Sequence, residues 1–208
     1  MPFHAWGPAN LLMLAREPEF AADLRQLKNA ATGVIVYTYI DHHLNRVIGA
    51  SDIANDSWWY GALPAFQLEN GRLKTEGSFR EIHPLRSFFM TIYTNVLRRS
   101  YFLSEIFPAL PFIRPQHFDL VADIIEDLGR EARLKSGIPR FVVLFYPQSA
   151  TAARLIPRLH ARGIETIDWS TIMLTRYAQP THIPYDGHPT KEAHAVIGRE
   201  LARELTRA

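Results

Sequence analysis

Cysteine is absent from the 208-residue chain. Without thiols the chain has no disulfide framework, no zinc–thiolate site and no cysteine nucleophile. A large excess of one charge is also missing, because 23 Lys and Arg residues stand against 21 Asp and Glu residues and leave a formal net charge of +2. Together with the lack of a basic run interleaved with aromatic residues, this balance argues against nucleic acid as a partner.

Long apolar runs are missing as well. No stretch approaches the ~20 consecutive apolar residues of a membrane span, and residues 1–6 have neither the basic nor the apolar region of a signal peptide. The sequence therefore predicts no membrane span and no export signal, with the cytoplasm as the default compartment. The composition is that of a globular protein, with 47% hydrophobic and 21% charged residues, and the length suits one domain with a sizeable core.

Apolar runs rich in β-branched and aromatic residues alternate with amphipathic segments in the two outer parts of the chain. Residues 34–40 and 140–146 predict buried strands, and residues 164–168 predict a short third strand. Residues 116–135 have the apolar spacing of a long helix, which Gly137 is placed to end. Strand–helix–strand units of this kind favour a parallel sheet with right-handed crossovers.

The middle of the chain departs from this pattern. Alternating residues around Asn70-Gly71 predict a β-hairpin, and the apolar residues from His83-Pro84 to Phe107 predict one long helix that covers the core or serves as a lid or dimer surface. We therefore expect a single domain over residues 1–208, with an insertion at about 50–115. Within it, the cluster Trp58-Trp59-Tyr60 could stack on a sugar ring in a cleft or pack a small lobe.

The most informative string lies near the end of the chain, at Tyr185-Asp186-Gly187-His188-Pro189-Thr190. Thr190 is placed to N-cap the last helix, and behind it apolar residues recur at three- and four-residue intervals. A loop that bears an acid and an imidazole is thus tied to a helix that docks on the core, an arrangement that holds reactive groups in place. Taken alone, Asp-x-His also suits a turn cap followed by a surface histidine.

The whole string resembles the C-terminal block of the SGNH (GDSL-type) hydrolases, in which an Asp and a His precede Pro and a closing amphipathic helix. The resemblance implies a three-layer α/β/α sandwich with a mainly parallel sheet, here with the hairpin and helical insertion. It implies hydrolysis or transfer of an acyl group on an oxygen ester, with a carbohydrate ester as one candidate substrate and no cofactor. His188 would be the general base and Asp186 its orienting partner. The common family spacing is Asp-x-x-His, and the shorter form here needs a tighter turn, which Gly187 makes feasible.

Two further site positions follow from the resemblance. Gly7 matches the glycine that opens a helix in the family, and it would offer its amide to the oxyanion. Asp41 falls about where the family has an asparagine that donates to the oxyanion, with His42 beside it, at the carboxyl end of a strand where α/β proteins place their ligands. Because a carboxylate accepts hydrogen bonds and repels an oxyanion, either Asp41 has a structural role or the oxyanion hole is built otherwise. His42 and His43 also suit a helix N-terminus after the strand.

The serine nucleophile has no counterpart in this chain. In the family it belongs to an N-terminal Gly-Asp-Ser-type block ahead of the Gly7 region, whereas Ser51, Ser87 and Ser149 lie in turn, helix and cap contexts. We therefore expect a chain without the first strand and its serine, through a truncated gene model or a real loss. Such a chain should have little or no esterase activity by itself, since His188 would have no hydroxyl to deprotonate.

Two other functions stay open. One is a non-catalytic ligand-binding module that uses Trp58-Trp59-Tyr60 and the vestigial cleft. The other is a metal-dependent phosphoesterase, because Asp41-His42-His43 after a strand resembles the signature of the DHH phosphoesterases, in which Asp and His ligate manganese. That family also needs an Asp-x-Asp on an earlier strand, and nothing upstream of Asp41 provides it.

Overall fold

The computed structural model describes residues 7–26, 33–50, 60–69, 72–95, 99–106, 110–172, 183 and 189–207. The helices and strands in this part of the chain are, in order, α1 (Pro8–Arg16), α2 (Pro18–Arg25), β1 (Val34–Tyr39), α3 (His42–Ile48), β2 (Pro64–Glu69), β3 (Arg72–Ser78), α4 (Phe79–Ile82), α5 (Pro84–Asn95), α6 (Tyr101–Ile106), α7 (Pro115–Ser136), β4 (Arg140–Phe145), α8 (Ala152–His160), β5 (Glu165–Asp168) and α9 (Lys191–Arg207).

The three apolar runs form the predicted parallel sheet, in the order β1-β4-β5. Val34 of β1 pairs with Arg140, and the register continues to Tyr39 and Phe145. The central strand β4 is buried from its second residue to its last. The parallel α/β prediction is therefore confirmed at this level.

β1 is less buried than its apolar sequence predicts. Its first three residues are half-buried, Tyr37 and Tyr39 are buried, and Thr38 is exposed. The reason is position, because β1 lies at an edge of the three-stranded sheet and pairs there with β4. The prediction of a strand buried on both faces holds for β4 and was wrong for β1.

Helices cover both faces of the sheet. Because successive side chains of a strand point to opposite faces, Phe141, Val143 and Phe145 pack with α1, α3, α7 and α8. Val142 and Leu144 point the other way and pack with β5 and α9. The chain is a mixed α/β protein whose larger core lies on the α7 side.

The long helix α7 follows its predicted bounds to within one residue at each end. Pro115 occupies its first position, where the missing N–H costs nothing, and Gly137 ends it in the left-handed region with φ 73°. Phe118, Val121 and Ile125 are among the residues of its buried face. The apolar spacing of this segment therefore predicted both that it is a helix and which face of the helix is buried.

The insertion matches the prediction in its hairpin and differs in its helices. β2 and β3 pair in the antiparallel sense across Asn70-Gly71. The single helix predicted from 83 to 107 is wrong, because α5 ends at Asn95 and α6 begins at Tyr101. Asn95 and Ser100 are residue types that favour helix ends and turns, because their side chains can bond nearby backbone groups, and apolar periodicity does not weigh this preference. The apolar side of α5 is also exposed and does not cover the core.

Candidate functional site

The carboxyl ends of β1 and β4 bring polar side chains to one edge of the sheet. Asp41 follows β1, while Ser149, Ala150 and Thr151 follow β4. Neighbouring parallel strands end at the same edge, which is where open α/β sheets hold their ligands. The residues at these strand ends are therefore the first place to look for chemistry.

The carboxylate of Asp41 anchors the loop between β4 and α8. Its Oδ1 accepts from Ser149 Oγ at 2.6 Å, from Thr151 Oγ1 at 2.5 Å and from Thr151 N at 3.3 Å. Its Oδ2 accepts from Ala150 N at 2.7 Å. Hydrogen bonds to a charged group are about twice as strong as neutral ones. This geometry favours the structural role that the sequence left open for Asp41, since the side chain brings no donor to an oxyanion.

The hydroxyl of Tyr39 extends this network into the core. Tyr39 Oη lies 2.9 Å from Thr151 Oγ1. Because Thr151 donates its single hydroxyl hydrogen to Asp41, Tyr39 is the donor and Thr151 the acceptor in the bond between the two hydroxyls. Burial raises the pKa of Tyr39 and outweighs the opposite effect of the bond to Thr151, so the phenol stays protonated and continues to donate.

His43 is buried beside two tyrosines. Its Nδ1 lies 2.7 Å from Tyr37 Oη, and its ring stacks on Tyr37 with centroids 5.6 Å apart and meets Tyr39 edge-on at 5.8 Å. Burial, followed by the charges of Arg46 and His42, lowers the pKa of His43 from 6.5 to about 3. The imidazole is therefore neutral at physiological pH and belongs to the core.

The structure brings Gly7 against the segment that follows β1. A Cβ placed on Gly7 would lie 3.4 Å from the side chain of Arg46 and 3.9 Å from the carbonyl oxygen of His43. The backbone amide of Gly7 donates to Asn10 Oδ1 at 3.4 Å, at the start of α1. His42 is exposed at the first position of α3, as the helix-start interpretation predicted. Gly7 thus lies against α3, the helix that begins directly after Asp41.

The predicted catalytic pair, Asp186 and His188, lies outside the described residues, as do Trp58 and Trp59. The element behind the pair is described. Thr190 caps α9 as predicted, since Ala193 N donates to Thr190 Oγ1 at 3.3 Å and His194 N donates to Thr190 O at 3.0 Å. The predicted apolar face of α9 is confirmed by its packing on the sheet through Ile197, Leu201 and Leu205.

A second loop contact joins the ends of β4 and β5. Gln148 adopts φ 69°, a left-handed conformation that is uncommon for a residue other than glycine. Its backbone N–H donates to the backbone oxygen of Ser170 at 2.9 Å. Asp168 Oδ1 accepts from Ser170 N at 2.9 Å and so closes the turn that follows β5. A backbone hydrogen bond therefore joins the loops that follow β4 and β5, and the side chain of Asp168 closes the turn in the second of them.

No family model, curated protein or solved structure matches the chain. The residues and their geometry are thus the basis for a functional proposal. Within the described ranges, no three His, Asp or Glu side chains are grouped so that they could hold a metal ion. Among the same residues, no helix has the length and the apolar character that a bilayer crossing requires.

Sequence reasoning missed the residues that complete the network around Asp41. Ser149 was interpreted as a helix cap, and Thr151, Tyr37 and Tyr39 were not singled out. The sequence does indicate that Tyr37 and Tyr39 lie on the same face of β1, because residues two positions apart on a strand share a face. Linking Ser149 and Thr151 to Asp41 requires knowing that β1 pairs with β4. The apolar runs predict the strands but not their order in the sheet.

Proposed function

We propose that this chain is an SGNH-like hydrolase domain that acts on acyl esters, with His188 as the general base and Asp186 as its orienting partner. The observation that carries the proposal is the capped and docked helix α9, because it fixes the chain two residues after His188 to the core. Carbohydrate esters are the first substrate class to assay, given the aromatic cluster Trp58-Trp59-Tyr60.

Two features of the described part support the proposal. The sheet is parallel, with helices on both faces, and Gly7 lies against the residues that follow β1. In the proposed reaction a serine hydroxyl attacks the acyl carbon, its proton passes to His188, and His188 returns that proton to the leaving alkoxide. The 208 residues contain no serine in a Gly-Asp-Ser context, so we expect the chain alone to be nearly inactive.

The pairing of Asp186 with His188 can be tested without catalysis. A carboxylate beside an imidazole favours the charged ring, so Asp186→Asn should lower the pKa of His188 by about one unit or more. Histidine NMR titration measures this value. Glu200→Gln is the matched control, because Glu200 lies about 14 Å beyond the start of α9 along its axis. If the pKa of His188 is the same in the wild type and in Asp186→Asn, the two side chains do not interact, and the proposal is contradicted.

The missing nucleophile needs a separate test. A fluorophosphonate probe labels a serine that a neighbouring base activates, so we expect no label on this chain. Labelling of an internal residue such as Ser149, located by mass spectrometry, would show that an active serine is present and would contradict the expected inactivity. The His188 titration would still decide the dyad.

The two alternative functions give different results. A non-catalytic module would bind esters or sugars saturably, with an affinity that His188→Ala leaves unchanged. A phosphoesterase centred on Asp41 would retain manganese or zinc near stoichiometry in protein purified without added metal. The described geometry does not favour the metal, because both oxygens of Asp41 accept bonds from the β4–α8 loop and the ring of His43 is buried against Tyr37.

A further inference from the structure

The loop that follows β4 contains a tight turn that is occupied by an uncommon residue. Ser149 N donates to the backbone oxygen of Tyr146 at 3.3 Å and so closes the turn. Pro147 stands second in this turn, and Gln148 stands third with φ 69°. Proline second and a positive φ third are the pattern of a type II turn, in which glycine or asparagine normally takes the third position. The backbone therefore gives no reason for a glutamine at this position.

Hydrogen bonds on both sides hold Gln148 in this conformation. Toward β5, its backbone N–H donates to the backbone oxygen of Ser170. Toward β1, Ser149 Oγ and Ala150 N donate to the carboxylate of Asp41. A strained residue persists where its surroundings fix it, and such residues cluster at functional sites. The turn thus keeps Gln148 in a fixed place at the carboxyl end of the central strand β4.

The side chain of Gln148 is exposed to solvent at this edge of the sheet. Within the described ranges, its carboxamide has no hydrogen-bond partner in the protein. A carboxamide offers two N–H donors and one acceptor oxygen and carries no charge. Because open α/β sheets bind their ligands outside the carboxyl ends of the strands, Gln148 presents a neutral donor at the place where a ligand is expected.

The proposed ester chemistry needs a donor that Asp41 does not supply. In acyl transfer the carbonyl oxygen of the ester gains negative charge, and hydrogen-bond donors stabilise that charge. The family resemblance puts such a donor near Asp41, whereas both oxygens of this carboxylate accept bonds from the β4–α8 loop. Gln148 belongs to the same loop and directly precedes the residues that bind Asp41. Its amide group is able to donate where the carboxylate is not.

We propose that Gln148 is a substrate-binding residue whose Nε2 donates to the carbonyl oxygen of the bound acyl ester. This inference rests on the proposed function, which supplies the substrate class. As the serine oxygen bonds to the acyl carbon and its proton passes to His188, the carbonyl electrons move onto the oxygen that Gln148 contacts, and the hydrogen bond strengthens. The carbonyl then re-forms, and the alkoxide leaves with the proton from His188.

NMR of the side-chain amides tests this contact directly. The side-chain signal of Gln148 is assigned by its absence from the spectrum of Gln148→Ala. The probe is an acetylated xylo-oligosaccharide, and the same oligosaccharide without acetyl groups is the matched control ligand. Because the chain alone should be nearly inactive, the ester survives the titration. We expect the ester to shift the Gln148 signal saturably and the deacetylated sugar to leave it in place.

Variants separate the contact from the strain in the turn. Gln148→Ala removes the carboxamide, and Gln148→Gly also removes the strain, because glycine accepts a positive φ. Both should weaken ester binding by about two- to tenfold, the effect of one neutral hydrogen bond, while Gln148→Gly should melt at a higher temperature than Gln148→Ala. Gln26→Ala is the matched control, since Gln26 is an exposed glutamine directly after α2; it should bind the ester as the wild type does.

Three results would overturn the proposal. The first is an ester that leaves the Gln148 signal in place; if the titration of His188 still shows its pairing with Asp186, the proposed function stands without this contact. The second is equal ester affinity in the wild type and in both Gln148 variants. The third is an equal shift with the ester and with the deacetylated sugar, because the carbonyl would then not be the group that is bound. A shift with the ester alone, in a chain whose His188 does not pair with Asp186, would support the contact and contradict the proposed function.

Discussion

At the scale of single residues, Asp41 has the largest structural role in the described site. Its carboxylate joins the end of β1 to Ser149 and Thr151, which lie 108 and 110 residues further along the chain. The bonds also hold the first turn of α8, since Thr151 is the residue before that helix. Of the alternatives that the family pattern left open for Asp41, this geometry favours the structural role.

We expect Asp41→Asn to lower the free energy of unfolding by about 2–3 kcal/mol, because the amide group turns a donor toward the donors of the loop and the charge is lost. Urea denaturation measures this change. Asp168→Asn is the control, since its carboxylate accepts one bond, from Ser170 N, in an exposed position; its cost should be about 1 kcal/mol or less. Equal losses in the two variants would contradict the anchoring role.

His43 makes the stability of the chain depend on pH. Burial first, and then Arg46 and His42, lower its pKa from 6.5 to about 3 in the folded state. In the unfolded chain the imidazole has its ordinary pKa and takes up a proton as the pH falls below it. The unfolded state therefore binds more protons between these two values, and the free energy of unfolding falls with decreasing pH by up to about 1.4 kcal/mol per unit.

Urea denaturation between about pH 7 and pH 5, above the range in which most carboxylates titrate, checks this slope. The comparison variant is His43→Leu combined with Tyr37→Phe, which replaces both partners of the 2.7 Å hydrogen bond with apolar groups. Its stability should change less over the same interval. Parallel curves for the wild type and the double variant would show that His43 is not the titrating group.

At the scale of elements, α7 depends on one close approach to the sheet. A Cβ on Gly129 would lie 2.7 Å from Cδ1 of the buried Phe141 ring in β4. On α9, by contrast, a Cβ on Gly198 would meet nothing within 4 Å. An added methyl group would therefore meet the packed interior at Gly129 of α7 and open space at Gly198 of α9.

We expect Gly129→Ala to lower the free energy of unfolding by about 1–3 kcal/mol, because overpacking outweighs the gain in helix propensity. Gly198→Ala should raise it by about 0.5–1 kcal/mol through propensity alone. Thermal and urea denaturation of the two single variants measure the signs. A stabilised Gly129→Ala variant would mean that α7 does not pack on Phe141 as closely as described.

Elements with a local signal were predictable from the sequence. Asn70-Gly71 predicted the hairpin, Pro115 and Gly137 mark the ends of α7, and Thr190 predicted the cap of α9. These features depend on residues a few positions apart, so the sequence displays them directly.

Features set by distant residues were not predictable. The acceptors of Asp41 bind a loop more than a hundred residues away, and the exposure of Thr38 depends on the edge position of β1. The face of α5 does not cover the core, one of its three predicted roles, because an apolar stripe looks the same whether it covers a core or faces solvent. The roles of Asp186 and His188 stay predictions, since they lie outside the described residues.

At the scale of the whole molecule, the main core differs in size from the core of the insertion. The sheet, α1, α3, α7 and α8 share one large buried cluster, whereas the insertion has its own small cluster of Leu63, Ala65 and Phe79. The hairpin shares the large cluster through Phe66 of β2, whereas α5 packs on the small cluster through Met90. Because local opening costs less where fewer apolar contacts must break, α5 should open at a lower cost than α7.

Hydrogen–deuterium exchange tests this difference. Amides of α5 should exchange at least about tenfold faster than those of α7, both being helices, once intrinsic rates are removed. Equal protection in α5 and α7 would show that the molecule opens as one unit.

The pairing of β1 with β4 also sets an order for the synthesis of this chain. Within the described residues β4 is the strand that pairs with β1, and its first residue, Arg140, stands about a hundred positions after Tyr39. At roughly 5–20 residues per second, a ribosome needs on the order of ten seconds to span that gap. During this time the apolar strand β1 has no partner strand, and α1 has no α7 to pack against. A nascent chain that stalls in the insertion would therefore expose an unpaired strand edge to chaperones or to other nascent chains.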